Sequence, residues 1–162
     1  MADRNPAPQG PTRVAQPAAD RGPGIRWRPS AAGQPVEVSA TVAGFDGVVI
    51  GSVTRHREAG PTDPALSQQW IVVSVTGDLD ADTGPLLHLA LTEALDANSR
   101  VCCDLSRVAF CGAAGANAVL AAHLRAAATG RQFTVRGVHG ITRLVLAFTG
   151  LDQTLTFTEE ID

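Results

Sequence analysis

The sequence contains no lysine and no tyrosine, and aromatic residues make up only 4% of it. All 13 basic residues are arginine, and against 16 acids they leave a formal net charge of −3. A negative charge disfavours nucleic-acid binding by phosphate neutralisation. No apolar run approaches the ~20 residues of a membrane span, and no apolar signal-peptide core follows the N-terminus. We therefore expect a cytoplasmic protein that is neither secreted nor inserted in a membrane.

Cysteine is also scarce, with Cys102, Cys103 and Cys111 as its three occurrences. An odd count without a secretory signal predicts no disulfide framework, and no Cys-x-x-Cys pair indicates a zinc site. The four histidines are scattered without metal-ligand spacing. The sequence offers no nucleophile–base pair, and residues 112–115 lack the Lys and Ser/Thr of a phosphate-binding P-loop. We expect no metal, no cofactor and no enzymatic activity.

Proline is concentrated in the first 35 residues, which hold seven of the ten prolines together with five arginines and two acids. Such a segment has too little apolar area to offset a backbone entropy cost of ~1–2 kcal/mol per ordered residue. We assign residues 1–46 to a mostly disordered tail and residues 47–162 to the folded domain. Residues 36–47 could form an extra edge strand, because they contain three valines: Val36, Val38 and Val42.

From residue 48 onwards, strand-like segments alternate with helix-like segments, which is typical of an α/β domain. Apolar residues with the 3.6-residue rhythm predict helices after Pro85, through residues 119–128 and at residues 141–148. Gly130 would end the second helix with a positive φ. The third helix is expected to bury Ile141, Leu144, Val145 and Phe148. Alternating residues predict strands at 48–55, 70–76, 101–105, 132–136 and 154–158, the last with Leu155 and Phe157 inward.

Several short motifs occur in a fixed order: residues 76–80 (Thr-Gly-Asp-Leu-Asp), residues 104–110, glycines at 115 and 130, and residues 149–151 (Thr-Gly-Leu). In order and spacing they resemble a STAS domain of the bacterial anti-anti-sigma factor (anti-sigma factor antagonist) family, over roughly residues 47–159. The resemblance implies a small mixed β-sheet packed with α-helices. It also implies binding to an anti-sigma factor, often a serine kinase of the histidine-kinase-like ATPase fold, and release of a sigma factor for transcription.

The chain departs from the family at its regulatory motif, Asp-Ser-Ser-Gly, whose first serine accepts the phosphoryl group. In register, the motif falls on Gly112, Ala113, Ala114 and Gly115. Alanine has no hydroxyl, so Ala113 stands at a lost phosphoacceptor position. No Ser or Thr occurs between Ser106 and Thr129 to replace it. The resemblance therefore implies a binding protein without the usual serine switch.

The resemblance places a partner-binding surface on the loop at 77–83 and on residues 112–120. Asp78 and Asp80 could cap the next helix, contact the partner, or both. Asp104 is expected to form a turn. Cys111 could couple oxidation to binding if it is exposed with a lowered pKa, and Cys102 or Cys103 would then be the resolving thiol. The candidate contact residues are Asp78, Asp80, Gly112, Ala113, Ala114, Gly115, Ala116 and Asn117.

Two other functions stay open at this point. The chain could be a STAS subunit of a lipid- or solute-transport complex, in which the same helix face binds a transporter ATPase without phosphorylation. It could also be a scaffold subunit of a large stress-sensing assembly. An adjacent anti-sigma factor gene would favour the signalling function, and an adjacent transporter operon would favour the first alternative.

Overall fold

The computed structural model describes residues 28–29, 38–43, 47–58 and 69–159. Six strands form one sheet in the order β1-β2-β3-β4-β5-β6. Strands β1 to β4 pair antiparallel, and β5 and β6 continue parallel to β4. The strands are β1 (Arg28–Pro29), β2 (Val38–Ala43), β3 (Val49–Glu58), β4 (Trp70–Leu79), β5 (Arg100–Cys111) and β6 (Gln132–Arg136), and the helices are α1 (Gly84–Ala97), α2 (Ala113–Thr129) and α3 (Gly140–Phe148).

This mixed sheet with three helices confirms the expected fold class. Within the segment whose structure was left open, Val38–Ala43 forms β2, so the sheet includes residues before 47, where we expected the folded domain to start. Residues 1–27 of the expected tail lie outside the described residues. At the other end, the predicted strand at 154–158 is reduced to one parallel bridge between Val135 and Phe157, and a 3-10 helix at Leu151–Gln153 precedes it.

The main core lies between the sheet and the helices. Alternating residues of β4, namely Ile71, Val73 and Val75, point into it, whereas Val72 belongs to a second, small buried cluster. Gly130 ends α2 with φ of 65°, as expected. Because β4 leads into α1 and β5 leads into α2, both helices begin at the carboxyl ends of two neighbouring parallel strands. That edge of the sheet carries the candidate site.

Helix α3 lies where it was expected, but it buries the face opposite to the expected one. Ile141, Leu144 and Phe148 are 50%, 56% and 90% exposed, and the buried residues are Thr142 and Leu146. The expectation that the apolar stripe is buried was wrong. Apolar periodicity establishes which residues share a helix face, but the docking of the helix decides which face meets the core.

Arg136 connects three strands across the sheet. Its guanidinium donates two hydrogen bonds of 3.0 Å to the Glu58 carboxylate and one of 2.9 Å to Oδ2 of Asp104. Burial alone would raise the pKa of Asp104, but hydrogen bonds from Ser106 and Arg136 lower it. The side chains of Arg136 and Asp104 are 17% and 12% exposed, so solvent screens this pair only in part.

We expect the substitution Arg136→Met to lower the free energy of unfolding by ~2 kcal/mol, because it leaves a largely buried carboxylate without its cation. The matched control is Arg125→Met in α2, which removes the surface ion pair of Arg125 with Asp96. That change should cost only ~0–1 kcal/mol. Urea unfolding of both variants measures the difference, and equal losses would contradict the assignment of Arg136 as a cross-strand support.

Candidate functional site

The two segments expected to bind a partner lie side by side at the carboxyl ends of β4 and β5. The backbone N–H of Gly112 donates a 2.7 Å hydrogen bond to the carbonyl oxygen of Leu79. The starts of α1 and α2 also pack closely, since a Cβ built on Gly84 would lie 2.7 Å from the Cβ of Ala114. Residues 78–84 and 112–117 therefore present one continuous surface.

Asp80 and Thr83 hold the loop between β4 and α1. The Thr83 hydroxyl accepts a 3.0 Å hydrogen bond from the Asp80 N–H and donates to the Asp78 carbonyl oxygen. Oδ1 of Asp80 accepts from the N–H groups of Asp82 and Thr83 at 3.0 and 3.1 Å. These bonds to Thr83 and Asp82 lower the pKa of the Asp80 carboxyl. The Asp80 side chain thus orders the loop before the helix, while Asp78 is exposed.

The lowered pKa of Asp80 predicts a pH dependence. A carboxyl group whose pKa is lower in the folded protein stabilises the fold above its usual value of about 3.9 and loses that contribution as the pH falls through its folded value. Asp80→Asn keeps an acceptor oxygen and does not titrate. Between pH 5 and pH 3 the Tm of the wild-type protein should therefore fall further than that of the variant. Parallel Tm curves in calorimetry would contradict this role.

The expected contact residues at the start of α2 differ in how exposed they are. Ala113 and Asn117 are exposed, Gly112 and Ala114 are half-buried, and Gly115 and Ala116 are buried. The buried residues pack the helix onto the sheet and leave no side-chain surface for a partner. The contact role of the others stays a prediction.

Cys111 does not meet the conditions for a redox switch. It is buried, and burial raises the pKa of its thiol to about 11. Burial likewise raises the pKa of Cys102 to about 12 and that of Cys103 well above its ordinary value. Cys103 shares the main core with Cys111, whereas Cys102 lies in the second cluster. Burial therefore opposes ionisation of all three thiols.

We expect the thiols of the folded protein to react with a thiol-specific reagent much more slowly than those of the urea-unfolded chain. With a pKa of about 11, only about one Cys111 thiol in a thousand is ionised at pH 8, and the thiolate is the nucleophile. Mass spectrometry after timed quenching measures the extent of labelling. Rapid, selective labelling of Cys111 in the folded protein would restore the redox hypothesis.

Three features of this region were not predicted from the sequence. Thr83, the buried hydrogen-bonding centre of the loop, precedes Gly84 and Pro85 in a manner typical of a helix start, so a local signal was present. Phe110 is exposed beside Gly112. Asp104 does accept a 2.9 Å hydrogen bond from the Ser106 N–H, as the expected turn requires. Its pairing with Arg136 could not be predicted, because the residues next to Asp104 in the sequence do not indicate it.

Within residues 28–29, 38–43, 47–58 and 69–159, no three His, Cys, Asp or Glu side chains lie together as metal ligands. None of the helices at 84–97, 113–129 and 140–148 is long and apolar enough to cross a bilayer.

Comparison with known families identifies the domain. The family model described as "Mlab, STAS domain" matches residues 63–158, which is more than half of the chain. This match confirms the resemblance that the motifs indicated. None of the curated proteins compared with the chain matches it.

Solved structures show the same fold. An anti-sigma factor antagonist from Mycobacterium paratuberculosis is 26% identical, with a TM-score of 0.55 over 75% of this chain and 93% of that chain. The protein TM1081 of Thermotoga maritima, solved by NMR, is 15% identical with a TM-score of 0.51 over 65% of this chain and 84% of that one.

Proposed function

Because the chain belongs to the STAS domain family, we propose that it is an anti-sigma factor antagonist. It binds an anti-sigma factor, and the bound anti-sigma factor then releases its sigma factor for transcription. The protein acts by binding and not by catalysis. The likeness to the Mycobacterium paratuberculosis anti-sigma factor antagonist, at 26% identity over 93% of that chain, carries this proposal.

The exposed part of the candidate site supports binding without a phosphorylation switch. Ala113 occupies the first position of α2, is exposed and has no hydroxyl. A phosphoserine at this position would bring a charge of about −1.5 to −2, together with three strong acceptor oxygens, into the contact. Alanine keeps the position small and neutral, so the surface resembles a permanently unphosphorylated form.

The proposed partner is an anti-sigma factor of the histidine-kinase-like ATPase fold. With this chain such a kinase would bind without transferring a phosphoryl group to residue 113. The same neutral surface also suits the second candidate function, a STAS subunit that binds the ATPase of a transport complex. Both functions use the start of α2, and they differ in which protein covers it.

Affinity purification of the tagged full chain from its own cells, with the bound proteins identified by mass, tests the proposal. The variant Ala113→Asp serves as the matched control, because it changes one exposed residue of the contact. An anti-sigma factor that binds the wild-type protein and is lost with the variant would support the proposal. Recovery of a transporter ATPase with the same dependence on residue 113 would support the second candidate and contradict the first.

A further inference from the structure

Phe110 is an exposed aromatic side chain next to the start of α2. It lies in β5 directly before Cys111, and 43% of it is exposed. Its ring stands against Gly112, since a Cβ built on Gly112 would lie 3.4 Å from Cε1 of Phe110. Aromatic residues are enriched at the centres of protein interfaces, where they contribute large apolar areas. Phe110 therefore extends the candidate surface beyond the expected contact residues.

Ile50 is exposed at the same edge of the sheet. Strand β3 runs antiparallel to β4, and Gly51 pairs with Gly77. On the other side of β4, Leu79 pairs with Cys111 of β5. Ile50 and Phe110 thus lie on the two strands that flank β4 near Asp78, and their backbones are about 10 Å apart, or two strand spacings.

Acidic residues lie between and beside these two apolar residues, because Asp78 is on β4, the strand between them. Asp78 and Asp82 are exposed, and Asp80 is half-buried between them. Arg107 lies further back along β5, paired in register with Thr76. Two exposed apolar side chains with an exposed carboxylate between them are complementary to a partner surface with apolar sites on either side of a basic side chain.

We infer that Phe110 and Ile50 are apolar contacts of the anti-sigma factor on the two sides of Asp78, and that its facing surface has apolar sites beside an Arg or Lys side chain. The inference rests on the proposed function and adds to it two contact residues that lie outside the altered motif. Phe110 reaches the partner beside Ala113, and Ile50 reaches it from the opposite side of β4.

The test measures affinities of the full chain by calorimetry against each anti-sigma factor encoded in the genome of origin, produced separately. Phe110→Ser should weaken binding at least about tenfold, as expected for an aromatic contact residue of an interface. Ile50→Ser should weaken it by a smaller factor. The matched control is Phe148→Ser at the end of α3, a still more exposed phenylalanine, and its affinity should equal that of the wild-type protein.

Thermal unfolding of each variant separates loss of contact from loss of fold, and Ile50→Ser decides the test if Phe110→Ser does not fold. Unchanged affinity for the folded variants, together with a loss for Ala113→Asp, would overturn this inference and leave the proposed function intact. A loss confined to Phe148→Ser would move the contact to α3 and also overturn it. If no anti-sigma factor binds the wild-type chain, both the inference and the proposed function are wrong.

Discussion

The variant Ala113→Asp should bind its anti-sigma factor at least about tenfold more weakly than the wild-type protein, a loss of ~1.4 kcal/mol. The substitution puts a carboxylate at the exposed first position of α2, within the proposed contact. Binding would bury that charge against a surface that now receives a neutral methyl group, and desolvation opposes it. Isothermal titration calorimetry with the purified anti-sigma factor measures the change.

Two further substitutions at this position separate charge from size. Ala113→Asn has nearly the volume of aspartate without the charge, so it should retain most of the affinity. Ala113→Ser restores the hydroxyl and should bind like the wild-type protein when ATP is absent. An acidic residue in the first turn of a helix stabilises that helix, so Ala113→Asp should remain folded. Equal affinities for the Asp variant and the wild-type protein would show that the partner does not cover the start of α2.

Gly115→Val should lower the free energy of unfolding by about 3 kcal/mol, the upper end of what overpacking usually costs. A Cβ at this position would lie 2.7 Å from the Cβ of Leu79 and 2.9 Å from Sγ of Cys111. Both neighbours are fully buried, so neither can move without disturbing the core beside the candidate site. Urea unfolding monitored by circular dichroism measures the loss.

The matched control introduces the same residue two positions later. Asn117 is exposed in α2, so Asn117→Val changes the helix propensity slightly and creates no close contact. Its effect should stay within about 0.5 kcal/mol. Equal losses for the two variants would contradict the packing explanation, because replacing glycine with valine does not lower the helix propensity.

Much of the fold was predictable because its signals are local. The 3.6-residue rhythm located all three helices, and Gly130 marked the end of α2 by the positive φ that glycine adopts at low cost. Strand alternation located β4 and β6. The prediction for α3 failed in orientation, since its rhythm is compatible with either face in the core until neighbouring elements are placed.

The candidate site was predictable as a pair of segments but not residue by residue. The family resemblance implied that residues 77–83 and 112–120 share one surface, and a hydrogen bond between Gly112 and Leu79 brings the two segments together in the structure. The exposure of the individual residues could not be inferred, because it depends on how α2 packs onto β4. Gly115 was therefore expected in the contact and is instead buried.

The sequence by itself determined the positions of most strands and helices and the absence of a hydroxyl at residue 113, because these depend on neighbouring residues or on the composition of one side chain. Only the tertiary structure decided which motif residues face solvent, which face of α3 is buried and that Cys111 is buried. Arg136 and Glu58 are 78 positions apart, and their pairing exists only because β3 and β6 belong to one sheet. Burial and pairing depend on contacts between distant segments, and the chain must fold before those contacts exist.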